Sequence, residues 1–232
     1  MKTVTDFDRH ANSYDGELEE ALTLSGEGRG YFARGRVERL VECVRKLGPV
    51  PRYLMDFGCG TGSTTPILLE TLGAESAIGL DNSLRSLDVA KGSHGSERIH
   101  FLPVHEYEPA GALDLAYCNG VFHHIPVGDR GTALGLVWES LRPGGLFSFW
   151  ENNPWNPGTR YVMAHCAFDE DAETITPPKA RAMLRAAGFE ILQTDFAFIF
   201  PRALRIFRSL EKLAWRVPIG AQYHVLCRKP LG

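Results

Sequence analysis

The stretch Tyr53-Leu54-Met55-Asp56-Phe57-Gly58-Cys59-Gly60-Thr61-Gly62-Ser63 decides how the rest of the 232-residue chain is read. An apolar run ends in a carboxylate, three glycines follow at alternate positions, and a helical pattern over residues 64–72 comes next. Strand, tight loop and helix start in that succession make a nucleotide-binding βα turn. Glycine at Gly58, Gly60 and Gly62 permits positive φ and lets a ligand approach the backbone closely, because no Cβ intervenes.

Outward from this loop, strand and helix patterns alternate. Residues 52–57, 77–80, 99–104, 113–118 and 146–150 read as strands, with helices over 64–72, 83–90 and 130–141 and a turn at Arg142-Pro143-Gly144-Gly145. Such alternation means βαβ units and a parallel sheet buried on both faces, with ligand at the carboxyl ends of the strands. Residues 190–200 and 221–228 read as an antiparallel strand pair at the edge, after a helix over 179–187. Two helical patterns (5–24 and 31–47) precede the first strand and therefore cap or flank the sheet. The chain reads as one domain: 1–50 as helical cap or flank, 51–151 as the cofactor-binding half, and 152–232 as a substrate-side insertion and C-terminal strands. The irregular segment 152–178 follows the fifth strand, so it is expected near the ligand.

Composition narrows the classes. Hydrophobic residues make up 44% and charged residues 23%, ordinary values for a globular protein, and the net charge of -3 gives no general reason to expect nucleic acid. The first 30 residues lack the basic-then-apolar pattern of a signal peptide. No apolar run approaches the roughly 20 residues that span a bilayer. Five scattered cysteines without a CxxC pair read as reduced thiols in a cytoplasmic protein.

The loop also selects its nucleotide. A dinucleotide fingerprint would place its third glycine at the sixth position, where Ser63 stands, while Gly62 falls at the fifth. Asp56 would repel a pyrophosphate but suits an ammonium or hydroxyl groups, and Asp81 can accept from both ribose hydroxyls. With Leu113-Asp114-Leu115-Ala116-Tyr117-Cys118-Asn119-Gly120-Val121-Phe122-His123-His124-Ile125 and Leu141-Arg142-Pro143-Gly144-Gly145, these features resemble the class I S-adenosylmethionine-dependent methyltransferases.

The resemblance covers most of the chain. It implies a Rossmann-like seven-stranded α/β sheet, mostly parallel, with an N-terminal helical cap and S-adenosylmethionine as cofactor. It implies that Asp56 lies near the methionine ammonium and that the backbone of Phe57, Gly58, Cys59, Gly60 and Gly62 lines the methionine and ribose. Asp81 would hold the ribose hydroxyls, Asn82 would lie beside adenine, and Asn119 near the amino acid end. The opening Phe7-Asp8-Arg9-His10-Ala11-Asn12-Ser13-Tyr14-Asp15 is similar to the family's F-D-x-x-A-x-x-Y-D cap and implies that Tyr14 closes over the cofactor. Where the family usually carries an Asp for the adenine amino group, this chain has His105 followed by Glu106, and either can accept.

The sulfonium brings its own leaving group, so the protein must align an acceptor, exclude water and, where needed, remove a proton. Candidates for that base are His124, placed ahead of His123, then His165, Glu151 and Tyr161. A structural role for the His-His pair stands beside the catalytic one. His165, Cys166 and Asp169 lack the spacing of a metal set, and no metal is expected. Of Trp150, Trp155, Tyr161, Phe168, Phe196, Phe198 and Phe200, half are expected in the core and the rest against an apolar acceptor, with 196, 198 and 200 alternating along a strand.

Residues 202–217 put Ala203, Phe207, Leu210 and Ala214 on one helical stripe and are rich in Arg and Lys. Three readings stand: a solvated helix over the sheet edge, a peripheral contact with an anionic membrane that would suit a lipid-linked acceptor, or recognition of an acidic substrate group. The expected activity is methyl transfer to oxygen or nitrogen of a small molecule. The alternatives are a protein that binds S-adenosylmethionine without methylating, and an NAD-dependent oxidoreductase.

Overall fold

A computed structural model describes residues 26–48, 50–165 and 172–231. Its strands are β1 (Tyr53–Phe57), β2 (Ser76–Asp81), β3 (Ile99–Pro103), β4 (Leu113–Asn119), β5 (Leu141–Asn152), β6 (Glu190–Ala197) and β7 (Gln222–Arg228). They form one seven-stranded sheet in the order β3-β2-β1-β4-β5-β7-β6. β1 pairs in parallel with β2 and β4, β2 with β3, and β4 with β5, while β7 runs antiparallel between β5 and β6. The expected antiparallel pair at one edge is present. Because β1 lies between β2 and β4, the chain first winds outward to β3 and then crosses back. The crevice beyond the ends of β1 and β4 is therefore the switch point where such sheets take ligands.

The helices are α1 (Arg29–Val44), α2 (Thr65–Leu72), α3 (Leu84–His94), α4 (Arg130–Ser140), α5 (Pro157–His165), α6 (Pro177–Ala186) and the short α7 (Glu211–Ala214). Strand side chains alternate faces, so Leu54 joins Val37, Leu40, Leu68 and Leu87 from α1, α2 and α3 in one core. Met55 and Phe57 join Leu134, Val137, Ala180 and Leu184 from α4 and α6 in the other. The helix expected over 31–47 is α1, which flanks the sheet. Its Arg39 reaches β6, donating through Nε (3.1 Å) and Nη2 (2.7 Å) to the buried Asp195 Oδ2. The helix expected over residues 5–24 lies outside the described residues.

Three expectations need correction. The turn expected before the fifth strand is a bulge inside β5: Leu113 pairs with Leu141 but Leu115 with Leu146, and Gly144 takes φ +79° to absorb the extra residues. The strand expected over 190–200 stops at Ala197. Phe198 turns out of the ladder at φ +62°, and the returning chain passes so close to this point that a Cβ on Gly220 would lie 2.4 Å from the Ala197 carbonyl oxygen. The helix expected over 202–217 is instead a 3₁₀ helix (Arg202–Leu210), broken at Leu204 (φ -109°, ψ 22°), followed by α7. None of its side chains is buried, so the packing that stabilises an amphipathic α-helix is missing there. No helix among the described residues is long and apolar enough to cross a membrane.

Candidate cofactor and acceptor cavity

All three loop glycines adopt the left-handed backbone their positions predicted, at φ +73° (Gly58), +54° (Gly60) and +78° (Gly62). Their surroundings differ. A Cβ on Gly58 would meet Val121 Cγ2 at 2.2 Å, and one on Gly62 would meet Phe101 Cζ at 2.7 Å and Ala90 Cβ at 2.8 Å. Gly58 and Gly62 are therefore required by packing, whereas nothing lies within 4 Å of a Cβ on Gly60, which faces open space. The loop is fixed from β2: Leu80 O accepts from Gly58 N (2.7 Å) and Cys59 N (3.0 Å). Asp81 Oδ2 accepts from Gly60 N at 2.8 Å, and Asp81 Oδ1 from Ser83 N at 2.9 Å.

The loop forms one wall of a cavity of about 590 Å³. Asp56, Gly58, Cys59 and Gly60 line it from β1, Tyr117 and Asn119 from β4, and His123 and His124 from the turn that follows. Burial pushes the Asp56 carboxyl up to about 7; the neighbouring Asp81 adds to this, while the Thr65 hydroxyl, donating at 2.7 Å, and the Arg36 guanidinium pull it down. Burial likewise pushes the Cys59 thiol up, so it is a filler and not a thiolate. Asn119 Oδ1 is buried without a hydrogen-bond partner, an acceptor left for a ligand donor. Arg36, on the facing side of α1, is 7% exposed and also lines the cavity; its Nε donates to Tyr117 Oη (2.9 Å) and its Nη1 to Gln222 Oε1 (3.0 Å).

The turn after β4 is held from two sides. Arg130 Nε donates to the carbonyls of Phe122 (3.0 Å) and Ile125 (2.9 Å), and Glu173 N donates to His123 O (2.9 Å). This places His123 Nδ1 at 2.5 Å from Glu151 Oε2, while Glu151 Oε1 accepts from His123 N at 3.2 Å. His123 is 3% and Glu151 1% exposed. A carboxylate on Nδ1 fixes the imidazole's orientation and selects the tautomer whose lone pair is on Nε2. The His124 ring lies 4.0 Å away, centroid to centroid. Glu151 is thus a carboxylate partner of His123.

The segment after β5 supplies the far wall. Asn152, Asn156, Gly158, Thr159, Val162 and Met163 line the cavity, and opposite them stand Phe32, Phe198, Ile199 and Phe200. Tyr161 and His165 stack on each other on the outer side of α5, and neither lines the cavity. Trp150 and Phe196 are core, Trp155 is exposed, and Phe168 lies outside the described residues.

Several expected cofactor residues are not on the cavity wall. Phe57 is packed against Phe122 (ring centroids 6.0 Å), and Gly62 against Phe101. Asp81 acts on the wall through Gly60, and Asn82 follows it. His105 and Glu106 sit on a short 3₁₀ turn after β3 with side chains 72% and 58% exposed, 3.9 Å from each other. Tyr14, Cys166 and Asp169 lie outside the described residues. Arg36 escaped the sequence reading, because a lone Arg on an amphipathic helix carries no signal until the fold sets it beside Asp56.

One buried group away from the cavity has metal-ligand chemistry. Ligand atoms of Cys43, Asp195 and His224 lie within 4.8 Å of one another. The Arg39 guanidinium already neutralises Asp195, and burial holds the Cys43 thiol up at about 11, so the group reads as a buried polar network.

Comparison with known proteins agrees with this geometry. Residues 55–147 match a family model described as a methyltransferase domain. The trans-aconitate 2-methyltransferase of Deinococcus radiodurans is 34% identical over 95 residues, which is 41% of this chain and 36% of that protein. The enzyme of the same name from Rhizobium etli is 27% identical over 183 residues, 71% of each chain. The alignments with the Deinococcus radiodurans, Rhizobium leguminosarum and Acidovorax ebreus enzymes span 36%, 44% and 45% of those proteins, less than half of each. Among solved structures, a methyltransferase from Thermotoga maritima superposes with TM-score 0.65 at 19% identity, covering 96% of this chain and 98% of that one. One from Archaeoglobus fulgidus gives 0.62 at 16%, covering 87% and 95%.

The fold and its glycine-loop cavity are those of a Rossmann-like methyltransferase. Residues 55–147 carry a methyltransferase domain, on a sheet like those of solved S-adenosylmethionine-dependent methyltransferases. The chain's residues fit that cofactor: a carboxylate and an unpartnered amide oxygen face a guanidinium across one cavity, matching an ammonium and a carboxylate on one amino acid.

Proposed function

We propose that this chain transfers the methyl group of S-adenosylmethionine to an oxygen or nitrogen atom of a small-molecule acceptor. The cofactor supplies an electrophilic methyl on a sulfonium, and the protein supplies alignment, dryness and a proton acceptor. In this reading Asp56 and Asn119 take the ammonium, Arg36 takes the carboxylate, and the bare backbone at Gly60 admits the sugar. Asp81 keeps the loop in shape and is the acid assigned to the ribose hydroxyls. The whole chain acts as one domain, and its free thiols at Cys43, Cys59, Cys118 and Cys227 support a reducing, cytoplasmic setting.

The observation that carries the reading is the buried His123–Glu151 pair, whose His123 lies on the cavity wall. A hydroxyl or ammonium must lose a proton as it is methylated, and an imidazole backed by a carboxylate is suited to accept it at Nε2. A carboxylate acceptor, the kind named for the curated relatives, reaches the reaction already ionised and needs no such pair. The pair therefore favours a hydroxyl or amine.

An isotope-labelled methyl assay over a panel of hydroxy, amino and carboxylic acceptors tests this. We expect turnover with a hydroxyl or amine, lowered about 10²- to 10⁴-fold in kcat by His123→Asn, with S-adenosylhomocysteine binding kept. Labelling of carboxylates alone, or full activity in the variant, would overturn the base assignment. Cofactor binding without any labelling across the panel would favour a non-methylating role.

A further inference from the structure

The segment that broke the expected helix has an unusual surface. Of the sixteen large apolar side chains exposed among the described residues, seven fall between Leu204 and Ile219. Ile206 is 76% and Leu213 84% exposed, and Leu204, Leu210, Val217 and Ile219 stand beside them at 44% to 49%. A monomer in water gains nothing from this arrangement, so the ridge is built to meet a partner.

Charge says which kind of partner. The protein is net acidic at -3, yet this ridge carries Arg202, Arg205, Lys212 and Arg216. Lys212 Nζ pairs with Glu42 Oε1 at 3.0 Å and Arg216 Nε lies 3.7 Å from Asp195 Oδ1, yet at 67% and 73% exposure both side chains stay open to solvent beside the apolar row. The single acid of the ridge, Glu211, turns inward, where its Oε1 accepts from Phe200 N at 2.9 Å. Apolar side chains flanked by long basic ones, on a ridge with no acid facing out, match the boundary between acyl chains and anionic headgroups.

Position gives the contact a purpose. The same segment forms one wall of the cavity: Pro201 and Arg208 line it, and the Phe200 ring, also on the wall, meets Phe207 at 5.8 Å. Arg208 turns inward, donating to Glu27 Oε1 at 3.0 Å, with its guanidinium 4.5 Å from the Tyr31 ring centre. Phe32, Phe198, Ile199 and Phe200 make the adjoining wall apolar.

We propose that the 204–219 ridge docks on an anionic phospholipid surface and sets the cavity mouth against it, so that the acceptor is drawn from the bilayer. This deepens the methyltransferase reading by naming the acceptor's class, a membrane-resident amphiphile whose polar end enters the cavity. Docking itself needs neither cofactor nor catalysis, so it is measured apart from them.

The test is vesicle flotation of the full chain, without cofactor, using phosphatidylcholine vesicles with and without phosphatidylserine. The variant Ile206→Asp/Leu213→Asp changes only the two most exposed ridge positions, so the fold and S-adenosylhomocysteine binding are expected to persist. Wild type should float with the anionic vesicles, and the double variant should partition at least about tenfold more weakly. Raising the salt should release wild type from them. A wild type that floats with neither vesicle, or a variant that floats equally well, overturns docking. A doubled mass in light scattering that the variant abolishes also overturns it, and assigns the ridge to a second copy of the chain. Any of these results alongside intact S-adenosylhomocysteine binding leaves the methyltransferase reading standing.

Discussion

Asp56 shows how one side chain couples fold, charge and ligand. Its carboxyl is buried and titrates near 7, well above the roughly 3.9 of an exposed Asp. Between those values the folded chain holds a proton that the unfolded chain has lost. The stabilising contribution of protonated Asp56 is therefore complete below about 4 and is lost as the pH rises through 7. Ligand binding responds in the opposite sense. An ammonium beside Asp56 favours the ionised form, so the affinity for S-adenosylhomocysteine should fall below pH 7, by up to about tenfold per unit. Calorimetry between pH 6 and 8 should show this slope with proton release, and Asp56→Asn should bind weakly with a flat profile. A flat wild-type profile would remove Asp56 from the ammonium site. At this scale the glycine loop was legible, because left-handed backbone next to a strand end has few residue solutions. The sequence could not tell which glycine faces ligand and which faces Phe101 or Val121, since those neighbours arrive from β3 and from the turn after β4.

Among elements, periodicity was reliable where an element packs on the sheet and failed where it does not. Helix α1 shows the first case: Val37, Leu40, Val41 and Val44 are buried at helical spacing. The 202–217 segment has a comparable pattern, yet with no sheet face left to cover it settles as 3₁₀ turns. What the pattern could not reveal in α1 is its polar clamp. Arg39 and Asp195 are 156 residues apart and form an ion pair whose side chains are 10% and 1% exposed. Gln193 Nε2 donates to the same carboxylate at 2.8 Å, and the Trp215 ring centre lies 3.6 Å from the guanidinium carbon. Removing this cation would leave the buried Asp195 with only the longer Arg216 contact at 3.7 Å, so Arg39→Ala is expected to cost about 3 kcal/mol in urea unfolding. Arg39→Ala/Asp195→Leu, which removes both charges, should recover part of that loss. Equal losses in the single and double variants would mean that packing, not charge, holds α1 to β6.

Across the whole molecule, the cavity has two halves of different origin. The loop after β1 and the end of β4 supply a polar half whose motifs read plainly in the sequence, because a single cofactor constrains them. Helix α5 and residues 198–201 supply an apolar half that follows no motif, because acceptors differ and only shape and burial matter there. This division makes a prediction that separates the two. Val162 lies on the cavity wall on α5, partly exposed and away from the glycine loop. Val162→Trp should fill acceptor space while leaving the Asp56, Asn119 and Arg36 groups untouched. The affinity for S-adenosylhomocysteine should then stay within about twofold, and its thermal stabilisation should persist, since a ligand at 100 times its Kd adds about 2.7 kcal/mol. Methyl transfer to the preferred acceptor should lose at least about tenfold in kcat/KM, as expected where bulk displaces a bound group. If cofactor affinity falls in step with turnover, the two halves are one site, and the acceptor must enter elsewhere. If the losses separate as expected, the wall formed by α5 and Phe198–Pro201 is the surface on which acceptor choice is made, and the polar half is shared by whatever acceptor enters.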